Sequence, residues 1–115
     1  MAPSPDLDAT LSALADPARR AVVDLLRRRP RRAGDLAAEL SLSAPRMSQH
    51  LRVLRECGAI VEESSADDAR IRTYRLRREP FVALRGWLDD VEAFWGAELA
   101  AFKAHAERKP RDRRS

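Results

Sequence analysis

The chain has 115 residues, of which 44% are hydrophobic and 35% charged, with a formal net charge of +4. That suffices for one ordinary domain with a modest core and a highly charged surface, and excludes two separate cores. A single cysteine excludes an internal disulfide, and the lack of a secretory leader or a bilayer-spanning apolar run points to a cytoplasmic protein with no membrane partner.

The domain is expected over 6–107, between an N-terminus (1–5) and a basic tail (108–115) that are both rich in Pro and charge and so read as mobile. Leu7, Leu11 and Leu14 form an apolar stripe for a first helix over about 6–15, one that needs a partner surface. Asp16-Pro17 joins an N-cap to a proline at the first helical position. A second helix therefore starts there, buries Ala18, Val22, Leu25 and Leu26, and runs to about Arg29 before Pro30. A third follows over about Ala33–Leu40, with Asp35 near its positive end and Arg32 as a poor cap. Leu42 interrupts the polar run Ser41–Ser43 with one apolar anchor. Ser43 then caps a fourth helix that has Pro45 in its first turn and Gly58 as its left-handed stop.

Residues 34–58 thus read as a helix-turn-helix. At 100° per residue, burial of Met47, Leu51 and Leu54 turns Arg46, Gln49, Arg52, Val53 and Glu56 to the opposite side of the fourth helix. In a major groove Arg bonds guanine N7 and O6 and Gln bonds adenine N6 and N7, so Arg46 and Gln49 are the candidate base readers. Ser43, Ser48 and Arg52 suit phosphates, and His50, at the edge of that face, suits a supporting contact. Ordinary exposed polar residues would look the same one by one; the surrounding motif gives them their reading.

After Gly58 the period becomes strand-like: Ala59–Glu63, a polar turn Ser64–Ala69, and Arg70–Leu76. On the second strand Arg70, Arg72, Tyr74 and Leu76 share a face, so Tyr74 and Leu76 are expected buried at the hairpin base while Arg70 and Arg72 extend toward DNA. A final helix, Pro80–Ala106, would be roughly 40 Å long. Its stripe of Phe81, Leu84, Leu88, Val91, Trp95 and Phe102, widened by Trp87, Phe94 and Leu99, is more apolar surface than one small chain can hide. A homodimer is the preferred reading, with an interface of Leu84, Trp87, Leu88, Val91, Phe94, Trp95, Leu99 and Phe102 joined by Leu7 and Leu11 of the first helix. The competing reading is an intramolecular core helix.

Charge is unevenly spread. Arg19–Arg32 holds seven Arg against Asp24 alone, Arg70–Arg78 holds five Arg and no acid, and Pro80–Glu107 has a net charge of −3. A basic side facing nucleic acid and an acidic segment turned away from it are expected. The arginine excess suits phosphate and guanine, although a GC-rich genome would produce it equally well. Two His and one Cys are too few for a transition-metal site, and neither a nucleophile elbow nor a phosphate loop is present, so no metal, cofactor or catalytic activity is expected. Cys57 reads either as a redox switch beside Arg55 or, more plainly, as a small buried side chain under the wing.

With these elements in place, the chain resembles the ArsR family of winged-helix repressors. The resemblance rests on Ala13-Leu-Ala-Asp-Pro-Ala-Arg-Arg-Ala-Val-Val, Gly34-Asp-Leu-Ala-Ala-Glu-Leu, Met47-Ser-Gln-His-Leu-Arg-Val-Leu-Arg-Glu-Cys-Gly-Ala-Ile-Val and Arg72-Thr-Tyr-Arg-Leu, and covers about residues 10–100. It implies a mainly α fold with a small β-hairpin, a winged helix-turn-helix made dimeric through its terminal helices. It also implies recognition helices in successive major grooves of double-stranded DNA, wings on the flanking minor grooves or backbone, and release by a ligand. The metal-sensing members' cysteine signature is replaced by Asp35-Leu-Ala-Ala-Glu-Leu, and their Asp-x-His motif on the last helix is absent. The resemblance is therefore to metal-independent members, and leaves any small-molecule inducer unidentified. A nonspecific architectural DNA binder and a protein-interaction module on the winged fold remain open at this point.

Overall fold

Three of the helices begin where a side chain satisfies one or two of their first free N–H groups. In the computed structural model, which describes residues 6–108, Asp6 Oδ1 accepts from the N–H groups of Asp8 and Ala9 and opens α1, Leu7–Leu14. Asp16 Oδ1 accepts from the Ala18 N–H at 2.7 Å and opens α2, Pro17–Leu26; that bond is the main reason its carboxyl sits below the usual range. α3, Ala33–Leu40, has no side-chain cap, as Arg32 foretold. Ser43 Oγ accepts from the Arg46 N–H and opens α4, Ala44–Glu56. Strands β1, Ile60–Ser64, and β2, Arg72–Leu76, pair antiparallel, with Glu62 opposite Tyr74 and Ser64 opposite Arg72. α5 spans Glu79–Arg108. The expected N-terminal end and the tail beyond Arg108 lie outside the described residues.

The chain divides into two compact units, one ending at Leu84 and the other beginning at Arg85. In the first, α1 packs on α2 and α4, α2 on α3, α3 on α4, and the hairpin on all of α2, α3 and α4. Val22, Leu36, Met47, Leu51 and Leu54 are fully buried at the centre, ringed by Leu26, Ala59, Ile60 and Tyr74. Phe81, in the first turns of α5, packs against this cluster.

Two helix ends share one device. After α4, the Gly58 N–H donates to the Arg55 carbonyl and the Ala59 N–H to that of Leu54, both at 2.9 Å, with Gly58 left-handed at φ 82°. After α3, the Ser41 N–H donates to Ala38 and the Leu42 N–H to Ala37, with Ser41 left-handed at φ 55°. Both are Schellman motifs. The second makes the tight turn of the helix-turn-helix and lets Leu42 lean on the core, but it asks a non-glycine residue to accept a conformation that favours glycine.

Several boundaries differ from expectation. α2 ends at Leu26, because the N–H groups of Arg27 and Arg28 close the last turn on the Val23 and Leu25 carbonyls. β1 starts one residue late, since Ala59 belongs to the helix stop, and β2 starts at Arg72, since residues 65–71 form the turn. The unit's core also takes a different face of α1. Thr10 and Ala13 are buried, the Thr10 hydroxyl donating to the Asp6 carbonyl, whereas Leu11, about 100° round the helix, is 41% exposed. Val53, expected on the open side of α4, is half-buried against the core.

Ser41→Gly should remove the left-handed strain and raise stability by about 0.5–1 kcal/mol in chemical denaturation, net of the extra freedom glycine gains when unfolded. A lowered midpoint would contradict this account of the turn.

Candidate nucleic-acid interface

The buried stripe of α4 determines what its other face presents. With Met47, Leu51 and Leu54 packed into the core, Arg46, Ser48, Gln49 and Arg52 are all exposed, and none of them has a side-chain partner among the described residues. The Ser43 oxygen is engaged by the Arg46 N–H, which leaves the hydroxyl hydrogen for an outside acceptor such as a phosphate. The candidate base readers and three candidate phosphate contacts thus lie along one helix, its N-cap included.

His50 is placed differently. Its Nδ1 lies 3.3 Å from a guanidinium nitrogen of Arg19, whose Nε also donates to the Ala13 carbonyl at 2.7 Å and whose other nitrogen reaches that of Ser12. Since the guanidinium only donates, Nδ1 is the accepting nitrogen in this contact. Arg19 therefore completes the carbonyl end of α1 and ties it to α4 through His50; it supports the reading helix from behind. Arg20 likewise donates to the Leu14 carbonyl. Both are drawn to α1 because free carbonyls at a helix end attract the nearest guanidinium.

Arg31 is the buried arginine of this basic run. Only 8% exposed, it meets Glu39 at 3.2 Å, and its backbone exchanges two hydrogen bonds with Tyr74, adding a one-residue stub beside β2. That stub anchors the wing to the α2–α3 connection.

Glu62 fastens the wing to the reading helix. One carboxylate oxygen accepts from Arg55 of α4 at 3.5 Å and faces Arg72 at 3.8 Å, and the other accepts from the Tyr74 hydroxyl at 3.1 Å. Burial, reinforced by the Glu62 charge, pushes the Tyr74 phenol up and keeps it a donor. Next to it Glu63 holds Arg75. Arg70 lies outside β2, in the turn, with its fork closed on both oxygens of Asp68; this pairing holds the Asp68 carboxyl low and raises Arg70. The shared face expected for Arg70 and Arg72 is therefore lost. The arginines of the wing are balanced by Glu62, Glu63 and Asp68: Glu62 and Glu63 pair in register with Tyr74 and Thr73 and reach the neighbouring Arg72 and Arg75. Arg70, 90% exposed in its side chain, and Arg72 still point into solvent.

Cys57 is buried at the end of α4, its thiol donating to the Leu54 carbonyl at 3.3 Å, and burial pushes the thiol up, away from the reactive thiolate. Arg55 turns to Glu62 instead. Among the described residues no three His, Cys, Asp or Glu side chains gather as a metal ion requires, and no helix is long and apolar enough to cross a membrane.

In the second unit, α5 carries exposed apolar side chains: Leu88, Phe94, Trp95 (59%), Leu99 and Phe102 (72%), together with Trp87. Phe94 and Trp95 meet edge to face, their ring centroids 5.5 Å apart. An open groove of about 540 Å³ runs along this segment between Leu88, Val91 and Trp95, edged by Arg85, Asp89 and Glu92.

Residues 16–62 match the family model described as bacterial regulatory protein, arsR family. The chain is 35% identical over 95 residues to the HTH-type transcriptional regulator Rv2034 of Mycobacterium tuberculosis, covering 83% of each. It is 40% identical over 48 residues to the transcriptional repressor SdpR of Bacillus subtilis, covering 42% of this chain and 53% of that one. Among solved structures, an ArsR-like transcriptional regulator from Rhodococcus sp. RHA1 superimposes with a TM-score of 0.76 at 28% identity, over 90% of this chain and 93% of the other.

Arg19→Ala should cost about 2–3 kcal/mol in chemical denaturation, because helix-end carbonyls and His50 lose a charged donor together, and Arg19→Lys should recover part of it. An unchanged midpoint in the alanine variant would show that the clamp contributes nothing.

Proposed function

Because the chain belongs to the ArsR family of DNA-binding transcriptional regulators, which are not enzymes, we propose that it is a repressor that binds a near-palindromic operator as a homodimer. One observation carries the proposal: α4 buries one stripe completely and turns Arg46 and Gln49 outward with no competing partner among the described residues. Arg46 reads guanine and Gln49 reads adenine. Ser43, Ser48 and Arg52 hold phosphates and set the register, and Arg70 and Arg72 carry the wing to the flanking backbone once DNA phosphates compete with Asp68 and Glu62. His50 keeps α4 in position through Arg19. A repressor role is supported by the likeness to SdpR, itself a transcriptional repressor.

The homodimer is supported by the aromatic surface of α5. So many large apolar side chains in contact with water favour burial against a second copy, with Leu7 and Leu11 of α1 at the margin. A two-fold pair of α4 helices then meets half-sites about 10 bp apart.

Arg46→Ala should weaken binding to the best operator by about 1–3 kcal/mol and relax preference at one base position in competition assays; equal weakening on all sequences would contradict base reading. Trp95→Glu should raise the dimer dissociation constant at least about tenfold in sedimentation equilibrium while leaving the first unit folded. A wild-type chain that sediments as a monomer at every concentration would refute the dimer.

A further inference from the structure

Three arginines of the α2–α3 connection line one open groove of about 500 Å³, together with Pro30, Asp35 and Thr73 of β2. Arg29 and Arg32 are exposed, and neither makes an ion pair or side-chain hydrogen bond among the described residues. Arg31, more than nine-tenths buried, lines the same groove, and its Nε is a buried side-chain nitrogen without a partner. The groove adjoins the first turn of α3, whose N–H groups have no side-chain cap. One acid, Asp35, lines the groove against three arginines, and Glu39 nearby is engaged by Arg31. Across the groove stands the wing, where Arg32 helps Arg70 hold the Asp68 carboxyl low.

The location ties this groove to the reading helix. Ala33 and Gly34, which follow Arg32 directly, line a small cleft with Ala44, Met47, Ser48 and Leu51 of α4 and with Tyr74. Ser48 and the first turn of α3 therefore border the same cleft. We propose that the α2–α3 connection is a second phosphate seat, in which Arg29 and Arg32, with Arg31 beneath and the Thr73 hydroxyl beside them, hold one backbone phosphate flanking the bases read by α4. This seat rests on the reading of α4 as the DNA-contacting helix. It is blind to sequence, since it touches only backbone, and it sets how far α4 is pushed into the groove.

The test is a salt titration of binding to a short duplex of random sequence, followed by fluorescence anisotropy, for wild type, the Arg29→Ala/Arg32→Ala pair and the Arg29→Lys/Arg32→Lys pair. Both side chains are exposed and Arg32 makes no capping bond, so folding is unaffected, which circular dichroism verifies. The alanine pair should lower the slope of log K against log salt by about one, and the lysine pair should keep it, because one phosphate contact releases about one counterion. A slope equal to wild type in the alanine pair, with or without weaker binding, overturns the seat while leaving the reading of α4 intact. A wild-type chain that binds no duplex at low salt overturns both.

Discussion

Everything this protein presents to DNA depends on α4 being unable to rotate about its axis. Met47, Leu51 and Leu54 are each no more than 2% exposed, and they lie beneath α1, α2, α3 and β1. A turn of one residue, about 100°, would draw Arg46 toward the core and push Met47 into water, losing a buried side chain and stranding a charge at once. Apolar packing that touches no ligand thus decides which polar side chains can. The Arg19–His50 contact and the Glu62–Arg55 pair brace the same helix from its two sides, one through α1 and α2 and the other through the wing.

The arginines divide the labour. Those close to a helix end or a carboxylate are engaged within the chain: Arg19 and Arg20 by α1 carbonyls, Arg31 by Glu39, Arg75 by Glu63. Among those left exposed without a partner among the described residues are Arg46 and Arg52 on α4 and Arg29 and Arg32 in the α2–α3 connection, which leads into the small cleft shared by α3 and α4. Positive charge left after internal pairing, rather than net charge, is what a phosphate backbone can use.

The helices and their starts were legible in the residues, because N-caps and proline placement act within one turn: Asp16-Pro17, Ser43 and Gly58 each do what their local chemistry requires. The buried stripe of α4 was legible too, since Met47, Leu51 and Leu54 repeat at helical spacing with polar residues between. What could not be read was non-local. That Glu62 would face Arg72 and Tyr74 depends on hairpin register, and Arg31 looks like any other member of a basic run until Tyr74 pairs with its backbone. The leucines of α1 read as a stripe in need of a partner surface, and Leu11 is indeed exposed; what the spacing did not show is that contact with α2 and α4 buries Thr10 and Ala13. Ser41 carried no signal at all, because a left-handed turn is ordinarily announced by glycine.

The central claim is that two copies of α4 read two related base sequences at a set distance. Selection of DNA from a random pool by the purified full chain tests it most directly. The account predicts enrichment of an inverted repeat whose half-sites are about one helical turn, roughly 10 bp, apart and each contain a guanine and an adenine within reach of Arg46 and Gln49. Recovery of bound DNA with no enriched sequence would contradict it.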